Sequence, residues 1–172
     1  MKNILLFLAL SSTILFTSCE GDPGPPGQDG GLLFAQVFES TVNFQVDSQT
    51  GLPTAVIGFP IEVFESDVVL VYRLEKQVDV NGGTFDSWSP LPQNFFFSNG
   101  DILQYIFNHT LFDAEIQVDG NFDTTTSGSD FLNNQTFRVA IIPAEYAKSN
   151  PSMEDILEVM RTNGNQIEKI EL

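Results

Sequence analysis

Cysteine occurs once in the chain, at Cys19, and histidine once, at His109. A lone cysteine excludes an internal disulfide. Without a second histidine or thiol, the usual nitrogen and sulfur ligand sets for zinc cannot assemble. A serine triad would depend on His109 as its base, yet one histidine inside "YIFNHTLF" reads as a strand residue with a satisfied ring. No glycine-rich phosphate loop stands at a strand-to-helix turn, and no G-x-S-x-G elbow occurs. Basic residues are scarce: 7 Lys and Arg against 23 Asp and Glu, a net charge of −16. That balance excludes nucleic acid as a partner and repels anionic headgroups, because both need clustered Lys and Arg. The acidic residues are spread along the chain, which reads as solvated faces. These absences leave no catalytic constellation, and the chain is read as a non-enzyme.

The N-terminus carries a different kind of signal. Lys2 is followed by the apolar run "ILLFLAL" and then "SSTILFTS", leading directly to Cys19. A basic start, a short apolar core and small residues before a cut site describe a secretory signal peptide over residues 1–18. Ser11, Ser12 and Thr13 interrupt the apolar segment, which makes it a poor spanning helix, since one needs about 20 apolar residues. Thr17 and Ser18 precede Cys19, and no acidic residue comes before it. This stretch resembles a bacterial lipobox, with Phe16 where Leu is commonest. The resemblance implies that Cys19 is lipidated and becomes the first mature residue. Two or three acyl chains, at about 0.8 kcal/mol per buried CH₂, make a stable membrane anchor. Loss of Lys2 with the leader leaves 6 basic residues against 23 acidic ones.

Gly21, Gly24, Gly27 and Gly30 recur at every third position, with Pro23, Pro25 and Pro26 between them. Collagen needs that period because only glycine fits the axis of three polyproline-II chains. Four triplets are few, so residues 19–31 read as a lipidated cysteine plus a stiff spacer, roughly 30 Å from Gly21 to Gly30 at about 3.1 Å per residue. A trimeric stalk is the alternative. "SCEGDPGPPGQDG" running into "GLLFAQVFE" resembles the short collagen-like lipoproteins of the Bacteroidetes, specifically over residues 17–38 and in general layout beyond. That resemblance implies an address in the cell envelope, as an outer membrane lipoprotein, and no particular chemistry. Glu20 and Asp22, just after the cysteine, are similar to signals of that phylum that send lipoproteins to the cell surface.

Residues 32–172 suffice for one domain with a sizeable core. Short runs rich in Val, Ile, Phe and Tyr separated by turn clusters predict an all-β domain. "AVIGFPIEVF" contains Pro60, which lacks a backbone donor and marks an edge or a break. "DVVLVYRLEKQVDV" is the strongest strand, with Val69, Val71 and Arg73 on one side and Val68, Leu70, Tyr72 and Leu74 on the other; its apolar character on both faces predicts a central position. Asn81, Gly82 and Gly83 follow it and suit a hairpin, because primed turns need positive φ. "SWSPLPQ" reads as irregular and "DTTTSGSDFLNNQ" as a mobile polar loop. Ala114, Ile116 and Val118 alternate with Glu115, Gln117 and Asp119, as expected of a sheet with one buried face. Near 151–162 the period becomes helical, through Met153, Ile156, Leu157 and Met160. Asn150 is the expected cap, Pro151 suits the first turn, and Gly164 can close the helix. The fold expected is mainly β: an antiparallel β-sandwich of about eight or nine strands, with one C-terminal helix covering an edge or an end.

Three candidate sites follow. Asp119, Asn121, Asp123 and Asp130 are oxygen ligands that can gather around calcium. "QVDVNGG" partly resembles an EF-hand loop but fails at Gln77 and Trp88, where acids are required. Asp123-Thr124-Thr125 resembles the acceptor used for O-glycosylation of exported proteins in the Bacteroidetes, with Thr124 as the acceptor. Trp88, with Phe95, Phe96 and Phe97 nearby, can form an aromatic platform for a glycan; the alternative is that the Phe residues fill a core from both faces. Paired carboxylates can hydrolyse glycosides, but none is singled out. The leading reading is a lipid-anchored envelope protein acting as a structural or binding module on an envelope protein or glycan. A carbohydrate-binding accessory lipoprotein comes second and a carboxylate-based hydrolase third.

Overall fold

The computed structural model describes residues 35–147, 152–162 and 166–170. Cys19, the glycine triplets, Asn150, Pro151 and Gly164 lie outside the described residues. Ten strands are present among the described ones: β1 (Gln36–Val42), β2 (Gln45–Val46), β3 (Pro53–Gly58), β4 (Val68–Val80), β5 (Gly83–Pro90), β6 (Gln93–Phe96), β7 (Ile102–His109), β8 (Asp113–Gly120), β9 (Gln135–Ile142) and β10 (Glu168–Ile170). They form two five-stranded sheets, ordered β10-β1-β9-β4-β5 and β2-β3-β8-β7-β6. The expected β-sandwich is the fold. It exceeds the expected strand number through two short edge strands, β2 and β10.

Alternation places the core. Ala114, Ile116 and Val118 of β8 are fully buried between the sheets, as are Leu103 and Tyr105 of β7. Across from them lie Val69 and Val71 of β4, and Phe137, Val139 and Ile141 of β9. Each large apolar side chain removed from water in this way stabilises the fold by about 1.5–3 kcal/mol. Aromatic rings pack edge to face through the same core: Tyr105 meets Phe44, Phe95 and Phe137 at centroid distances of 5.9, 5.9 and 6.1 Å. The β4–β5 connection is the expected two-residue hairpin. Val80 opposes Gly83, and Asn81 and Gly82 sit at φ of 51° and 81°, which a primed turn requires.

Several local expectations are corrected. β4 is an interior strand, but β9 occupies the middle of its sheet, and this is why "VAII" is apolar on both faces. Every strand pair is antiparallel except β1 with β10, which runs parallel from Phe38 opposite Glu168 to Ser40 opposite Ile170. Ser87, Trp88 and Ser89 belong to strand β5, and the chain leaves the sheet through a cis Leu91–Pro92 bond. β3 ends at Gly58, so Pro60 marks a break. The helix Met153–Thr162 covers the outer face of the β1/β9 sheet, where Ile156 and Met160 pack with Ala35, Val37, Ala140 and Ile142. Its start is capped by Ser152: the Asp155 N–H donates to Ser152 Oγ at 3.2 Å, and Asp155 Oδ2 accepts from the Ser152 N–H at 2.8 Å. This reciprocal pair satisfies two donors that a helix start leaves orphaned. No helix among the described residues is long and apolar enough to cross a membrane.

The strand directions give the domain two ends. The near end, where the chain enters at Ala35, also holds the loop at 59–67 and the turn at 110–112, because Gln36 opposes Ile141 and Ile141 opposes Val69. The far end gathers the loops at 43–44, 97–101 and 121–134. There Phe44 N–H donates to Leu132 O at 2.8 Å, and Asn134 N–H donates to Asn43 Oδ1 at 2.8 Å.

Candidate functional site

The outer face of the β1/β9 sheet carries the one tryptophan. Trp88 stands on β5 directly opposite Leu74 of β4. Just beyond, the register slips between Leu74 and Lys76, leaving Glu75 as an extra residue. Such a bulge re-aims the strand that carries it. Glu75 is pinned in turn: its Oε1 accepts from Ser89 Oγ at 2.8 Å and from Gln93 Nε2 at 2.6 Å. Past the bulge Gln77 faces Asp86, and Gln77 Nε2 donates to Asp86 Oδ1 at 3.0 Å.

Three neighbouring strands place Glu39, Arg138 and Tyr72 in one row. Arg138 donates through Nε at 3.0 Å and Nη2 at 2.6 Å, both to Glu39 Oε1. Its guanidinium carbon lies 4.0 Å from the centre of the Trp88 ring, within the range of a cation–π contact. Trp88 is thus half-buried, with a charged group against its ring. Arg138 was missed as a site residue in the sequence; the signal for it was a single charge inside the otherwise apolar "TFRVAIIP".

Trp88 lines two open hollows, and Gln77 and Asp86 also line both. One, of about 1120 Å³, lies between it, the hairpin residues Gln77 and Asp86, and the helix residues Leu157, Glu158 and Arg161. The other, of about 650 Å³, lies toward Glu39, Lys169 and the hydroxyl pair Thr41–Thr136, whose Oγ1 atoms are 2.8 Å apart. An aromatic ridge lining hollows rich in amide, hydroxyl and charged groups can stack an apolar ring face and hydrogen-bond its substituents.

The other predicted residues are placed elsewhere. Phe95 packs against core Tyr105, Phe96 is exposed and Phe97 joins a cluster at the far end, so the aromatic platform of Trp88 does not include them. His109 is the exposed last residue of β7, in the other sheet, with its ring nitrogen 3.2 Å from the Thr110 carbonyl.

Thr124 corrects the expected glycan acceptor. It is only 2% exposed, and its Oγ1 donates to Val118 O at 2.9 Å. A hydroxyl whose hydrogen is held by a buried backbone carbonyl, on a residue with almost no open surface, leaves no room for a sugar. The loop around it is built from a 3₁₀ turn (Thr124–Thr126) and a short helix (Ser129–Leu132).

Three of the four calcium candidates are also committed locally, and Asp130 stands in the first turn of the short helix. Asn121 bridges Gly100 O and Ile102 N–H, at 3.1 and 2.7 Å. Asp123 caps the 3₁₀ turn, and Asp119 accepts from the Gly120 N–H. Among the described residues no group of three or more His, Cys, Asp or Glu side chains is placed to hold a metal ion. No protein-family model, curated protein or solved structure matches the chain.

Proposed function

We propose a lipid-anchored cell-envelope protein, displayed from the outer membrane, whose β-sandwich acts as a non-enzymatic binding module. The binding part of this reading rests on one observation: Trp88, steadied by Arg138, lines two open hollows on a sheet face that the C-terminal helix covers only in part. The anchoring part rests on the sequence of residues 1–31, above all Cys19 after "FTS".

A neutral glycan is the second reading of the same face. A half-exposed tryptophan beside amide and hydroxyl groups such as Gln77 and Thr136 favours it. The acidic balance of the chain also suits a neutral ligand better than an anionic one.

Two measurements test the reading. In the native host, Cys19→Ala should release the protein from membranes; a variant that fractionates like the wild type sinks the anchor. Pull-down of the tethered protein from intact cells, compared with Trp88→Ala, should lose its partner in the variant. Identical captures would remove Trp88 from the binding surface. A glycan array with no hits would dismiss the second reading while leaving the first.

A further inference from the structure

The loops at the far end form an open cavity of about 450 Å³ lined by Phe97, Phe122 and Phe131, with Asp101 and Ser127 beside them. It lies on neither hollow of the Trp88 face. Phe97 holds the other two rings edge to face, at centroid distances of 6.3 Å to Phe122 and 5.7 Å to Phe131. Phe131 continues the contact inward to Phe95, at 5.3 Å, so the cavity wall is the outer surface of the aromatic core.

The loops that carry it are tied down. Phe97 and Asp101 close a turn through Phe97 N–H to Asp101 O at 2.9 Å, with Gly100 at φ 93°. Asn121 clasps that turn from the neighbouring loop. Tyr105 reaches out from the core to hold Phe131 O at 2.6 Å. A cavity on such loops exists before any ligand arrives, which removes an ordering cost from binding.

Two polar groups give the cavity its chemistry. Ser127 Oγ is buried without a hydrogen-bond partner, a costly state for a hydroxyl unless something supplies the missing bond. Asp101 Oδ2 accepts from Asn99 Nδ2 at 2.7 Å, and its carboxylate is in no ion pair; the ion pair found among the described residues is Arg138 with Glu39. The three aromatic walls offer apolar surface for an aliphatic stem. The whole chain, at −16, raises the local concentration of cations. A purely apolar ligand would leave Asp101 and Ser127 unused, and an anion would meet the carboxylate.

We propose that this far-end cavity binds a primary alkylammonium group, its aliphatic stem along Phe97, Phe122 and Phe131 and its –NH₃⁺ donating to Asp101 and Ser127. The group can be a free amine or the side chain of a lysine in a partner. The inference is independent of the Trp88 face and stands if that face proves inert.

The test is a titration of the full chain in detergent with n-pentylammonium, with 1-pentanol as the neutral isostere, followed by calorimetry and by aromatic resonances. Pentylammonium should shift the Phe97, Phe122 and Phe131 signals and bind more tightly than pentanol, and the binding should weaken with salt. Asp101→Asn, which keeps the shape of the turn, should weaken it by about tenfold, as expected for loss of a charge-assisted bond. Nα-acetyl-lysine amide, titrated in parallel, identifies the source: tighter binding than pentylammonium assigns it to a protein side chain, weaker binding to a free amine, and both support the cavity. Equal binding of pentanol, no shift at the three rings, or an Asp101→Asn variant that binds like the wild type would each overturn the proposal.

Discussion

The guanidinium carbon of Arg138 lies 4.0 Å from the centre of the Trp88 ring, while the same group donates to Glu39 at 2.6 Å. One arginine therefore holds the aromatic ridge of the candidate site and closes an ion pair across two strands. The side chains of the pair are only 10% and 12% exposed, so they belong with shielded pairs, for which loss of one partner is costly, and not with solvated ones, which contribute little.

Arg138→Ala should leave Glu39 shielded and unpaired and uncover the indole. A loss of about 3 kcal/mol is expected, read from urea unfolding. Because Trp88 is the only tryptophan, its emission should shift to the red in the same variant. Glu39→Gln should cost less, since the amide oxygen still accepts. An unchanged spectrum and midpoint in Arg138→Ala would show that the ridge does not depend on this contact.

Arg73 presents the opposite case, a charge in the core with no carboxylate. It is 8% exposed, sits 4.9 Å from the Tyr105 ring centre, and donates through Nε and Nη2 to the single oxygen Gln135 Oε1 at 2.9 and 2.7 Å. Gln135 Nε2 in turn donates to the Asp130 and Asn133 carbonyls. Gln135→Leu should therefore cost about 3 kcal/mol, by stranding the guanidinium. Arg73→Met should be much milder. The double variant should be more stable than Gln135→Leu alone, because the stranded charge is gone. Additive costs in denaturant titrations would argue against this coupling.

Tyr105 is fully buried, and its hydroxyl donates to Phe131 O at 2.6 Å. Burial pushes its pKa up to about 12, against a smaller opposing pull from Arg73. The folded value lies above the unfolded value of about 10. Its contribution to stability is therefore complete below pH 10 and is lost as pH rises from there through about 12. In a spectrophotometric titration of the three tyrosines, Tyr105 should ionise last, together with alkaline unfolding. Tyr105→Phe should remove that last step. Ionisation of all three near pH 10 in the folded protein would contradict the burial argument.

Much of the fold was legible in the sequence because it depends on local patterns. The alternation of Ala114, Ile116 and Val118, the Asn81-Gly82 turn and the helical spacing of Ile156 and Met160 each announce one element. What those elements pack against is not local. The helix stripe gave no sign that it would cover a sheet face. Thr124 was misread because a threonine in a polar stretch appears exposed. Its burial comes from Val118 O and from Gly120, where an added Cβ would lie 3.0 Å from the Thr124 methyl group. The cavity of Phe97, Phe122 and Phe131 joins two loops far apart in sequence, and no spacing rule connects them.

The helix cap links pH to the candidate site, because the helix Met153–Thr162 forms one wall of the larger hollow. Hydrogen bonds from the Ser152 hydroxyl and then the Ser152 N–H hold the Asp155 carboxyl below its ordinary value of 3.8. A folded pKa below the unfolded one gives stabilisation that is present above about 4 and disappears as pH falls through the lower native value. Asp155→Asn should therefore unfold more readily than the wild type at pH 7, and the gap should close as both are acidified below pH 4. Urea midpoints of the two proteins across that range provide the measurement. If the gap stays constant down to acid pH, Asp155 holds the helix start by shape alone, and its charge contributes nothing to the cap.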